Sequence, residues 1–208
     1  MEHHVTQFDF QQGWIDLTLE YGSSETEARE LAESVIPRFN PLERTVGDRD
    51  LLNDLVDRAL FLNKDEPLLA AAYYTPAGVP LADLWVDSYA EENGPRPAPA
   101  EVVPLLLDWS NAKVEGEPSV TYPHLAAGTS VRVQAMLKAK RLLGFGSQLA
   151  ELVRYAVFPP DMPSVVVITA TWQNMSRSDE LTALTHELVS TLRLVPVDAQ
   201  GVEADPAD

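Results

Sequence analysis

The 208-residue sequence contains no cysteine. Disulfides, thiol catalysis and cysteine-based zinc or iron–sulfur sites are therefore excluded. Long apolar runs are also missing, and none reaches the roughly 18 residues that a membrane helix needs. The first residues lack the basic region and apolar core of a secretory signal peptide. We therefore expect a cytoplasmic protein with no membrane partner.

Basic residues are scarce: 15 Lys and Arg stand against 32 Asp and Glu, which gives a formal net charge of −17. An acidic surface repels phosphate backbones and anionic lipids, so we expect no binding to nucleic acid. Basic proteins or cationic ligands would be attracted instead. Acidity also has the general role of keeping a protein soluble, so composition excludes partner classes without identifying a partner.

Three segments have the apolar spacing of amphipathic helices. Ser24 and Glu27 form a capping box, which predicts that the first helix starts at Glu25. The other two helices are predicted over 49–62 and 179–193. Each has an apolar stripe on one face, so each should pack against a sheet.

Seven further segments have the alternation or the β-branched composition of strands. They cover 14–21, 68–74, 81–89, 119–124, 129–140, 149–158 and 165–172. The last of these is apolar on both faces and should be central in a sheet. Short Gly- and Pro-containing turns require antiparallel neighbours. The sequence therefore predicts an α+β fold, with an antiparallel sheet of about six to seven strands flanked by helices on both faces, an α/β/α sandwich.

Two segments interrupt this regular pattern. Residues 93–99 contain three prolines and are predicted to form a surface loop within a single domain, 1–196. The segment 101–109 is apolar but contains Pro104, so its pattern fixes neither helix nor strand. Residues 197–208 are acidic with no basic residue, which predicts a disordered tail.

Motifs for catalysis or cofactor binding are incomplete. His186 and Glu187 lack the second histidine that a zinc-protease helix requires. The segment Gly144 to Ser147 fits neither a nucleophile elbow nor a dinucleotide-binding loop, and is interpreted as a hairpin turn. We therefore expect no catalytic residue, no cofactor and no metal.

Two carboxylates, Asp83 and Asp87, share a strand face with Trp85 between them. Glycosidases use paired carboxylates beside aromatic rings. The same pattern is typical of a solvated face, or of one that pairs with arginines across the sheet. His124 closes a short strand, where a structural role and a catalytic role both have to be considered.

Basic residues cluster in the second half, where 118–150 contains no acidic residue. With one residue of the next strand they form what we call the basic group: Arg132, Lys138, Lys140, Arg141 and Arg154. Alternation places Arg132 and Lys138 on one strand face, where we expect Arg154 to join them. The group is a candidate docking site for an acidic partner or a small anion. Alternatively, it neutralises acids such as Asp83 and Asp87 on adjacent strands.

The second half resembles a known family in the order of its elements. A strand follows Gly128, a second ends at Phe158-Pro159, a β-branched strand starts at Val165, and an amphipathic helix closes the series before Leu194. This order is similar to the PsbP-like fold, which Mog-like proteins and bacterial lipoproteins of the LpqN type share. The resemblance covers the last 80 to 90 residues and implies a sheet between helices and an accessory or binding role without catalysis. It carries over no site residue, and the chain lacks the lipidation cysteine of the lipoproteins.

Three functional hypotheses follow from the sequence. The first is a non-enzymatic cytoplasmic accessory protein that contacts an unknown protein partner, with homo-oligomer formation left open. The second is a small-molecule binding protein that holds an apolar or anionic ligand between sheet and helices. The third is a hydrolase that uses Asp83, Asp87 or His124.

Overall fold

The structure is a computed structural model that describes residues 3–20, 24–90, 95–109, 112–140, 147–160 and 162–197. Four α-helices lie within these ranges: α1 Glu25–Val35, α2 Asp48–Leu62, α3 Pro99–Leu107 and α4 Ser178–Ser190. Two one-turn 3₁₀ helices accompany them, Ile36–Arg38 and Met175–Arg177. No helix of these ranges has the length and apolar character needed to cross a membrane.

Ten strands complete the described elements. They are β1 His3–Gln7, β2 Trp14–Asp16, β3 Leu69–Tyr74, β4 Pro80–Tyr89, β5 Ala112–Thr121, β6 His124–Leu125, β7 Gly128–Lys140, β8 Ser147–Phe158, β9 Val165–Trp172 and β10 Arg193–Val197. Seven strands form the main sheet in the order β2-β3-β4-β9-β8-β7-β5, and β6 pairs with β7 as its eighth member. Strands β1 and β10 form a separate two-stranded sheet. All pairs are antiparallel, so the predicted α+β fold is confirmed. The main sheet has one strand more than the six to seven expected, and the small sheet of β1 and β10 was not predicted.

Helices cover both faces of the main sheet, and the strand register shows which residues share a face. One row of paired residues crosses five strands: Ala70, Trp85, Thr169, Arg154 and Val133. This face packs against α1, α2 and α3, and we call it the three-helix face. The neighbouring row contains Leu84, Ala170 and Val153 and packs against α4, on what we call the α4 face.

Local sequence explains where α1 and α3 begin. The Ser24 hydroxyl accepts a hydrogen bond from the backbone N–H of Glu27 (3.4 Å), as a capping box requires. Helix α3 starts with Pro99, whose fixed φ suits a first helical position. The Glu101 carboxylate accepts a hydrogen bond from the N–H of Ala98 (2.8 Å), which satisfies an N–H at the same helix start.

The segment 101–109, whose sequence pattern fixed neither helix nor strand, is mostly helical, because α3 extends to Leu107. Pro104 lies inside α3 but is exposed, whereas Val102 and Leu106 are buried. These two residues, four apart, pack with Val131 on the sheet. Burial of this stripe sets the structure, although Pro104 removes one helical hydrogen bond.

Several element boundaries differ from the sequence prediction, and β2 ends at Asp16 rather than 21. The last helix ends at Ser190 rather than 193, and β10 extends across the predicted start of the tail at 197. Strand β5 is longer than predicted because a bulge joins two halves between Glu115 and Ser119. The predicted turn at 144–146 and the residues from 198 onwards lie outside the described residues, and the division into one domain and a tail stays a prediction.

Two neighbouring leucines of α3 provide a matched test of its packing. Leu106 is buried, whereas Leu105 is 66% exposed. We expect Leu106→Ala to lower the free energy of unfolding by about 2–5 kcal/mol, the usual range for a buried leucine. Leu105→Ala should change it by no more than about 0.5 kcal/mol. Urea unfolding of both variants measures the difference, and equal losses would contradict the packing of α3.

Candidate functional site

A groove crosses the three-helix face between α2 and α3. Its polar end encloses about 850 Å³ beside the connection from α2 to β3. Its apolar end encloses about 520 Å³ beneath α3. The two ends share Tyr89, Asp108 and Arg154, which we call the junction. Each end has the volume of a small-molecule site.

Strands β4 and β8 supply the floor of the polar end. Trp85 and Asp87 alternate along β4 and point to the same face, and Arg154 extends from β8. The Trp85 ring lies 6.1 Å from the Trp109 ring between their centroids. An aromatic surface and two opposite charges therefore meet on one floor.

Arg154 is held in place by three hydrogen bonds. Its Nη1 donates to the carbonyl oxygens of Leu106 (3.0 Å) and Asp108 (3.1 Å) at the end of α3. Its Nε donates to Thr169 Oγ1 (3.2 Å), and the guanidinium carbon lies 4.4 Å from the centroid of the Trp109 ring. None of the described residues accepts a hydrogen bond from Nη2. The guanidinium is thus fixed in direction, with two N–H donors left over.

Neither charged group of the floor has a close counter-ion. Within the described ranges, no carboxylate lies within 4.0 Å of Arg154 and no cation lies within 4.0 Å of Asp87. Burial lowers the pKa of Arg154. Burial likewise raises the pKa of Asp87, and the nearby charge of Asp65 adds to the rise. A long hydrogen bond from the Tyr89 hydroxyl (3.5 Å), the charge of Arg154 and a hydrogen bond from the Trp85 side chain oppose the rise only in part. Each group is therefore partly desolvated without an ion pair.

The rim of the groove is apolar and open to solvent. Phe61 is 70% exposed and Tyr89 is 58% exposed, and Leu68 and Leu105 are also exposed. Four large apolar side chains around one groove form a larger apolar surface than singly scattered residues do. Of these four exposed residues, the sequence indicates only Phe61, because it lies outside the apolar stripe of α2.

A strained turn shapes the polar end. Glu66 has φ of 51°, a left-handed conformation that is uncommon for a residue other than glycine. Its N–H donates to the carbonyl oxygen of Asn63 (3.1 Å). The buried Asn63 side chain in turn donates to the carbonyl oxygens of Leu17 and Ala59 (2.8 Å each). The turn is therefore anchored to the core although it carries backbone strain.

The structure separates Arg154 from the rest of the basic group. Arg154 pairs in register with Val133, so its side chain points to the three-helix face. Arg132 and Lys138 lie an odd number of residues from Val133 along β7. Because side chains alternate along a strand, both point to the α4 face. The prediction that Arg154 joins them is therefore wrong, because the register puts it on the other side of the sheet. Arg141 lies outside the described residues.

Of the remaining basic residues, Arg132 and Lys138 have local partners. Arg132 donates a hydrogen bond to the Gln134 side chain. Lys138 forms an exposed ion pair with Glu115 (3.6 Å). Lys140 is the last residue of β7. Whether this part of the group binds a partner stays a prediction.

The hydrolase candidates are not brought together. Asp83 forms an ion pair with Arg58 of α2, which also pairs with Asp54 (3.3 Å), so its arginine comes from a helix rather than across the sheet. Burial raises the pKa of Asp83, and Arg58 opposes the rise. His124 is exposed on β6, which the three strands β9, β8 and β7 separate from β4. The described residues contain no cluster of three or more acidic or histidine side chains that could hold a metal.

Comparisons with known proteins give little beyond a distant likeness in fold. No known family matches the chain, and no curated protein matches it. Among solved structures, one match is the crystal structure of LpqN, a protein involved in cell envelope biogenesis of Mycobacterium tuberculosis. It is 10% identical, with a TM-score of 0.48, and the match covers 93% of this chain and 84% of that chain. A likeness this distant carries no argument about what the chain does.

Proposed function

We propose that this protein is a non-enzymatic binding protein that takes a small amphipathic molecule into the groove between α2 and α3. One observation carries the proposal: an exposed apolar rim surrounds a guanidinium that is fixed in place and has donors that no described residue uses. Apolar walls with a few oriented polar groups are the usual composition of a ligand site.

The fixed geometry of Arg154 favours binding. A free arginine side chain loses rotamer freedom when it binds a ligand, whereas this one is already held by Leu106, Asp108 and Thr169. Ordering that precedes binding reduces the entropic cost of the complex. The two Nη2 donors therefore suit an acceptor that enters along the groove.

Three features that lower stability meet in the same groove. Asp87 and Arg154 are partly desolvated without an ion pair to any described residue, and Glu66 holds a left-handed backbone. Selection for stability alone would remove such features, and they concentrate at sites where function requires them. Their convergence supports a ligand site rather than a merely irregular surface.

The absence of catalysis belongs to the proposal. Asp83 is engaged by Arg58, and His124 lies on a different part of the sheet, so they do not form a nucleophile and base pair. We also propose a cytoplasmic location, supported by the cysteine-free composition, and an accessory role beside a protein partner. Kinship with PsbP-like and Mog-like proteins is proposed from the element order of the second half.

A neutral fluorescent probe tests the site without any charge preference. We expect N-phenyl-1-naphthylamine to bind one saturable site, and Phe61→Asp and Leu105→Asp each to weaken it about 10-fold or more. The reason is that each variant removes apolar contact area and places a charge at the rim. Fluorescence titration measures the dissociation constants.

Leu149→Asp is the matched control, because Leu149 is also exposed but points to the α4 face opposite Lys138. Its affinity for the probe should equal that of the unaltered protein. Equal affinities for all three variants, or no saturable binding at all, would overturn the proposed site.

The partly buried carboxylate predicts a gain in stability on its removal. The pKa of Asp87 is higher in the folded protein than its ordinary value of 3.8. Protonated Asp87 therefore stabilises the fold fully at pH values below 3.8, and this stabilisation is lost as the pH rises through the folded-state pKa. We therefore expect Asp87→Asn to raise the free energy of unfolding at pH 7, and the gain to shrink towards pH 4. Urea unfolding at several pH values measures it.

Asp57→Asn is the control, since Asp57 is exposed on α2 and its loss changes the net charge equally. Its effect should stay within about 0.5 kcal/mol at every pH. A loss of stability in Asp87→Asn at pH 7 would show that this carboxylate supports the fold.

A further inference from the structure

We infer that the ligand of the groove is a zwitterionic amphiphile whose anionic group lies between its apolar tail and its cationic group. This inference rests on the proposed function and adds the chemical class of the ligand. It follows from the order of apolar, cationic and anionic protein groups along the groove.

The apolar end defines where the tail lies. Its walls are formed by side chains of α3 and by the sheet beneath it: Val102, Leu105, Leu106, Ala156, Val165 and Val167. Among the described residues that line this end, Asp108 is the one carboxylate, and it belongs to the junction. A hydrocarbon chain matches such walls and loses contact with water there.

The junction defines where the anionic group lies. Arg154 stands where the two ends meet and has two Nη2 donors that no described residue uses. A phosphate, sulfate or carboxylate can accept both, and such charge-assisted hydrogen bonds are the stronger kind. An anion at this point would also compensate a partly buried guanidinium.

The polar end defines where the cationic group lies. Beyond the junction, three carboxylates line it, those of Asp65, Glu66 and Asp87, together with the rings of Trp85 and Tyr89. The exposed Lys64 also lines this end, so these carboxylates outnumber its lysine by three to one. Carboxylates and aromatic faces together attract ammonium groups. The order along the groove is therefore apolar wall, guanidinium, carboxylates, which complements tail, anion, cation.

A ligand of one charge sign compensates only one of the two groups. An anionic head would satisfy Arg154 but leave Asp87 desolvated beside a second negative charge. A cationic head would have the reverse defect. A neutral head such as a sugar can donate and accept hydrogen bonds at both groups, but it supplies no counter-charge to either.

Five probes with the same octyl tail separate these cases. Octylphosphocholine has the inferred order, an octyl sulfobetaine has the reverse order of charges, and octyl sulfate, octyltrimethylammonium and octyl glucoside carry anionic, cationic and neutral heads. We expect octylphosphocholine to bind about 10-fold or more tightly than each of the others, because each of them loses at least one charge-assisted contact. Calorimetric titration below the micelle-forming concentrations measures the five affinities.

Two charge-removing variants test which protein group binds the anionic group of the ligand and which binds the cationic group. In Asp87→Asn we expect octylphosphocholine to weaken about 10-fold and octyl sulfate to bind more tightly than before. In Arg154→Gln we expect octyltrimethylammonium, instead of octyl sulfate, to bind more tightly than it binds the unaltered protein. If Arg154→Gln does not fold, the Asp87→Asn comparison decides by itself, since that variant is expected to be more stable.

The outcomes separate this inference from the proposed function. Equal affinities for all five heads, each weakened by Leu105→Asp, would overturn the zwitterion and leave the groove as a binding site. Tightest binding of octyl glucoside or of the reversed zwitterion would overturn the inferred order. Failure of every octyl probe and of the neutral fluorescent probe would overturn both.

Discussion

The hydrogen bonds from Arg154 to the end of α3 are the contact on which the groove depends. The last carbonyl groups of a helix have no partner within the helix, and a cation there is favourable. Arg154 reaches them from the middle of β8 and joins the carboxyl end of α3 to the sheet. The same guanidinium forms the junction between the two ends of the groove. Support of the helix and definition of the site are therefore one arrangement.

The length of α2 explains why two similar aspartates of β4 have different surroundings. Asp83 and Asp87 point to the same face, but α2 places Arg58 over Asp83 only. The helix ends at Leu62, and Phe61 and Leu62 become part of the groove wall instead of covering Asp87. Asp83 is thus incorporated into the packing between helix and sheet. Asp87 remains open to the groove, because the covering helix ends before reaching it.

Sequence patterns predicted the elements whose own residues determine them. The β-branched run from Val165 gives a central strand, and the stripe over 49–62 gives α2 almost to the residue. The side of the sheet on which Arg154 lies could not be predicted in the same way. Alternation within β8 shows which of its residues share a face, but only the register with β7 shows which face that is. Helix α3 was missed because Pro104 conceals a buried stripe that only the sheet beneath it reveals.

The bulge in β5 has a consequence for contacts between copies of the chain. Residues 116–118 lie opposite the single Ala135, and Gly116 takes φ of 79° to permit this, so the outer edge of β5 is not a continuous row of hydrogen-bonding groups. At the other end of the main sheet, β2 offers only three residues. A strand from another chain could pair only with two short, misaligned halves at the β5 edge. At the β2 edge it could pair with fewer residues than a typical strand contains. Both edges of the main sheet therefore disfavour extension of the sheet by strands from other chains.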